Sequence, residues 1–142
     1  MSALETRLFI NGDFVAGAGP IETVYEPARG TVLAEVASAS ADQVEAALAA
    51  AHAAYKSWSR TTPRERSAAL LALADGIEAQ AERLASIESR NAGKPLRYVR
   101  GGEIGNVVDV FRFFATAVRN MPAPAAGNYR SAQRMSLSLI HI

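Results

Sequence analysis

The sequence predicts a helix-rich α/β fold. Two observations carry that reading: residues 8–36 read as short strands between glycine and proline breaks, and from Ser40 the apolar period lengthens to 3.6. A third predicts that the fold is incomplete, because the apolar stripes of the helices are too wide to be covered within 142 residues.

Leu8-Phe9-Ile10 and Asp13-Phe14-Val15 flank Asn11-Gly12, which accepts the positive φ angles of a type I′ turn, so a tight hairpin is expected. Gly17, Gly19 and Pro20 break the chain before two further strands, Ile21 to Tyr25 and Thr31 to Val36, joined by a turn around Pro27 and Gly30. Ser40-Ala41-Asp42-Gln43 is a capping box, and the helix it opens puts Val44, Ala47, Leu48, Ala51 and Tyr55 on one face. Thr62-Pro63-Arg64-Glu65 starts a second helix with proline at its first position. Its stripe, Leu70, Ala74, Ile77, Ala81, Leu84 and Ile87, runs on to a glycine stop at Asn91-Ala92-Gly93-Lys94-Pro95. A third helix carries Ile104, Val107, Val108, Phe111, Phe114, Ala115 and Val118, and Pro122, Pro124 and Gly127 end it. Phe111, Phe113 and Phe114 point in more than one direction, as in a helix buried on several sides.

Composition narrows the function. A mass of 15.1 kDa allows one domain or a piece of a larger one. The 49% apolar share includes 29 alanines, which bury little area, so the core rests on a few dozen larger side chains. A net charge of +1 gives no electrostatic reason for nucleic acid or an anionic membrane as partner. No apolar run is long enough for a transmembrane helix, and Met1 to Arg7 lacks a secretory signal, so a cytoplasmic chain is expected. With no cysteine the chain has no disulfide, no zinc-thiolate site and no thiol nucleophile.

Taken together, the landmarks resemble the N-terminal part of the aldehyde dehydrogenase superfamily. The matching segments are Leu8 to Gly12, Glu26-Pro27-Ala28-Arg29-Gly30, Val36 leading into the helix at Ser40, and Ala53-Ala54-Tyr55 followed by Trp58. They continue with Arg64-Glu65-Arg66, Ala74 to Glu78, Glu88 to Asn91 before Gly93-Lys94-Pro95, and Phe111-Arg112-Phe113-Phe114-Ala115. The family usually has asparagine where this chain has Glu26 and threonine where it has Arg29; both positions lie in a turn. Phe111 to Ala115 and the run from Pro124 to Gly127 look most like the betaine-aldehyde and aminobutyraldehyde branch. The resemblance implies a Rossmann-type fold, incomplete here, with residues 1–130 as the N-terminal part of the dehydrogenase domain. Leu137 to Ile142 can be encoded by a nucleotide stretch resembling a sequencing-library adapter, so residues 131–142 are expected to be a non-family, artefactual tail; the other reading is a short β-strand.

The family oxidises an aldehyde with a cysteine nucleophile, passes hydride to NAD or NADP, and hydrolyses the thioester with water activated by a glutamate. The resemblance places those groups and the glycine-rich cofactor loop beyond this chain, so no catalytic, cofactor-binding or metal residue is assigned, and the chain alone is expected to be inactive without cofactor. Gly101-Gly102 is not that loop, lying in a helical run with no strand before it. Glu103 and Asn106, one helical turn apart, fall where the family lines the mouth of its substrate tunnel, and a carboxylate there would attract a cationic aldehyde. A solvated helix face is the plainer reading of the pair. Asn91 matches a position that in some relatives helps bind a monovalent cation, and a helix end is the plainer reading; His52 reads as packing or surface, Tyr55 and Trp58 as core anchors, and Lys94 as serving a helix terminus by its charge. Arg112 is expected to pair with Asp109 or with another helix. The resemblance further implies a homo-oligomer, dimer or tetramer, for the complete enzyme acting on its aldehyde substrate. A non-catalytic helical interaction module is the alternative from a different class.

Overall fold

The computed structural model describes residues 4–120, 126–130 and 133–136. The chain divides into two compact units, one formed by residues up to Ser59 with Ile87–Pro95, the other by Arg60–Ser86 with the residues from Leu96 onward.

The first unit opens with the expected hairpin, β1 (Leu8–Ile10) against β2 (Asp13–Val15), with Phe9 opposite Phe14. Asn11 and Gly12 take φ of 54° and 90°, the positive values a type I′ turn requires. The two phenyl rings lie 5.1 Å apart between centroids. A second antiparallel pair, β3 (Ile21–Glu26) and β4 (Thr31–Ala37), extends one residue beyond each expected strand and carries an irregularity between Val24 and Tyr25. Helix α1 (Ala41–Trp58) starts at the Ser40 capping box, and the Gln43 side chain also reaches Ala16 and Ala18, fixing the helix start to the chain before β3.

One expectation fails here. No residue of α1 is buried, and Tyr55 and Trp58 are 65% and 53% exposed rather than anchored in a core. Within its unit α1 meets β1, and a three-residue strand cannot cover a helix of 18 residues.

In the second unit α2 (Pro63–Ala79) begins at a capping box between Thr62 and Glu65. Its stripe does not continue as one helix. Gln80 leaves the helical region at φ −109° and ψ 14°, and its carbonyl accepts from the Leu84 N–H, so Ala81, Leu84 and Ile87 belong to a separate helix, α3 (Ala81–Ala92). Gly93, at φ 72°, ends α3 as expected. The next helical run is α4 (Leu96–Tyr98), a π turn (Val99–Glu103) and α5 (Ile104–Ala117). It is longer at its front than the sequence pattern indicates and ends before the prolines; Pro122 and Pro124 lie outside the described residues.

Helices α2 and α5 pack together, with Ser67 and Ala74 buried on one and Val108 and Ala115 on the other. Small side chains let the two backbones approach closely. Strand β5 (Ala126–Arg130) pairs antiparallel with β6 (Gln133–Ser136), so Gly127 lies in a strand rather than at a helix end. The boundary expected at residue 130 therefore falls between paired strands, while residues 137–142 lie outside the described ones. Among the described residues no helix is long and apolar enough to cross a membrane.

Candidate functional site

Glu103 is the last residue of the π turn and Asn106 lies in the first turn of α5; both are exposed. The structure brings them together along one open depression of about 490 Å³, lined also by Val107, Val110 and Phe111. Positions 103, 106, 107, 110 and 111 recur at three and four residues, so all five side chains stand on one helical face. They form a single wall with a carboxylate and an amide at one end and an apolar strip behind them. Chemically, such a wall can orient a small molecule that has a polar or cationic end and an apolar body. One helix face does not enclose a ligand.

The other residues singled out by the sequence fall elsewhere. His52 and Asn91 are exposed, and Asn91 lies in the last turn of α3. Lys94 Nζ donates to Glu88 Oε1 at 3.0 Å while its carbonyl accepts from Ser89 Oγ at 2.6 Å, which ties the residue to the end of α3. Arg112 crosses to α2, donating to Glu78 Oε2 at 2.6 Å and Asp75 Oδ1 at 3.0 Å, and takes no part in the depression. Those hydrogen bonds, the one to Glu78 foremost, raise its pKa above the ordinary arginine value.

Glu26 is the residue whose role the sequence did not reveal. Its side chain is 7% exposed and lies between Arg90 Nε at 3.1 Å and Arg29 Nε at 3.3 Å. The turn after it packs on the end of α3, where a Cβ at Gly93 would stand 3.2 Å from Pro27 Cβ. The two departures from the family pattern, Glu26 and Arg29, are thus partners of each other. This cluster is a structural clasp with every buried side-chain polar atom among the described residues hydrogen-bonded.

Gly101-Gly102 does not form a phosphate cradle. Gly101 and Gly102 lie inside the π turn, with neither a strand before them nor a positive φ, so their amides follow a helical course rather than cradling a pyrophosphate. Among the described residues no group of three or more His, Cys, Asp or Glu side chains could hold a metal ion.

Comparison with known proteins assigns the chain. Residues 14–139 match the aldehyde dehydrogenase family. Over 112 residues the sequence is 46% identical to a Streptomyces coelicolor protein named "Probable aldehyde dehydrogenase", covering 78% of this chain and 22% of that one. A crystal structure of PnpE in complex with nicotinamide adenine dinucleotide superposes with a TM-score of 0.80 at 33% identity, covering 90% of this chain and 26% of that one. A betaine aldehyde dehydrogenase from Staphylococcus aureus in complex with NAD+ gives a TM-score of 0.76 at 27% identity, covering 87% and 27%. The chain spans about a fifth of the length of the curated relatives it matches. A family match running through both compact units, joined to the same course of strands and helices in solved relatives, leaves one assignment: the chain belongs to the aldehyde dehydrogenase family.

Proposed function

We propose that this chain is the front portion of an enzyme that oxidises an aldehyde to a carboxylic acid with NAD or NADP, and that the portion alone is inactive. The observation that carries the reading is the family match over residues 14–139 in a sequence that holds no cysteine. The thiol nucleophile, the water-activating glutamate and the cofactor loop then belong to other parts of the whole enzyme, which works as a homo-oligomer in the cytoplasm. Glu103 and Asn106 stand at the substrate entrance, where the Glu103 carboxylate favours a cationic aldehyde of the betaine-aldehyde or aminobutyraldehyde kind. One solved relative, from Staphylococcus aureus, is named a betaine aldehyde dehydrogenase, in line with that subtype.

Two measurements test this. Titration of the 142-residue chain with NAD and with NADP by calorimetry should give no saturable heat, and saturable binding of either would overturn the inactive-portion reading. In the whole enzyme carrying this segment, Glu103→Gln should raise KM for a cationic aldehyde by about fivefold, the worth of a partly screened charge pair of roughly 1 kcal/mol. KM for an uncharged aldehyde of similar size should stay unchanged; equal effects on both would remove Glu103 from the entrance.

A further inference from the structure

The run from Leu96 to Ala117 contains one π turn, in which the Ile104 N–H donates to the Val99 carbonyl five residues back. A π turn holds one residue more than an α turn and is rare in helices. Its effect on side-chain direction can be worked out from the helical period. Val108 and Ala115, both buried, are seven residues apart and share a stripe at about 100° per residue. Glu103, Asn106, Val107 and Val110 stand on the far side, along the depression.

In an unbroken α-helix Val99 would lie about 180° from Val108, four residues before Glu103 and on Glu103's own face. It is instead fully buried, the largest side chain among the described residues to be so. Absorbing one residue in the π turn reduces its offset from Val108 to about 80°, between Val107 and Phe111 in direction and much nearer the buried stripe than in an unbroken helix. Nothing local forces the turn. Gly101 and Gly102 lack positive φ, and no atom lies within 4 Å of a Cβ built on either.

We propose that the π turn is a register device: one extra residue, housed at Gly101–Gly102, that keeps Val99 in the interior. The device stands on the burial of Val99 and is independent of the activity proposed above. Urea unfolding of the whole enzyme carrying this segment tests it. Deleting Gly101 converts the π turn to an α turn with Val99 still inward, so the midpoint should be unchanged or raised. Inserting alanine between Gly101 and Gly102 turns Val99 outward by about 100° and should lower the midpoint as far as Val99→Ala does. Gly101→Ala, which keeps the length, should be tolerated. A deletion as damaging as the insertion, or one that fails to fold, would overturn the proposal, because a plain α-helix resists a change of length in either direction.

Discussion

Glu26 shows how much one side chain can depend on a partner that local pattern does not reveal. The run Glu26 to Gly30 reads as a solvated turn, yet Arg90, 64 residues away, closes over the carboxylate. Glu26→Gln keeps the shape and removes the charge, leaving two guanidinium groups facing a neutral amide. Breaking a fully buried pair costs about 3–5 kcal/mol, but Arg90 is 28% exposed and Arg29 72%, so the loss should be nearer 1–2 kcal/mol. A lowered urea midpoint is expected, and Arg90→Ala should add little on top of Glu26→Gln; full additivity would show that the two side chains do not act as a pair. Glu65 offers the opposite case, legible from Thr62-Pro63-Arg64-Glu65 alone. The Thr62 N–H, then its hydroxyl, hold the Glu65 carboxyl below the usual carboxylate range. Because the folded value is depressed, the capping contribution is fully present above the ordinary glutamate value and is lost as pH falls through the folded one. Amide protection in the first turn of α2, taken relative to the intrinsic exchange rate, should therefore fall at acid pH, and Glu65→Gln should flatten that response.

Elements were legible where caps and turns announce them. Asn11-Gly12, Ser40 with Gln43, Thr62 with Glu65, and Gly93 each sit where the sequence puts them. The break at Gln80 was not legible, since no glycine or proline marks it and the apolar stripe runs through it unchanged. The π turn was hidden for a related reason: Gly101-Gly102 reads as helix, and nothing in the composition says that one residue is surplus. The spacing of three between Glu103 and Asn106 did place them on one face, which is as much of the candidate site as helical period alone can give. Two glycines test the element-level account as a matched pair. Gly93→Ala forces a Cβ at φ 72° and against Pro27, and should cost at least ~1 kcal/mol. Gly76→Ala lies inside α2 with open space around it and should stabilise by roughly 0.5–1 kcal/mol. Thermal melts of both variants check the pair, and a loss at Gly76 would contradict the open surroundings found there.

At the scale of the whole molecule, the described residues bury small side chains and expose large ones. Among them Val99 is the largest side chain fully buried, whereas Phe9, Tyr55 and Phe113 are each more than 60% exposed. Exposed large apolar groups in such number mark surfaces that another body covers, and on the proposed function that body is the rest of the enzyme. Trp58 makes the idea measurable, being the one tryptophan in the sequence and 53% exposed at the end of α1. In the 142-residue chain its emission should be nearly as quenchable by acrylamide in buffer as in urea. In the whole enzyme, the difference spectrum against Trp58→Phe should be blue-shifted and protected from the quencher. Protection already present in the 142-residue chain would mean that this chain covers α1 unaided, which is the behaviour of a self-contained interaction module rather than of a portion of an enzyme.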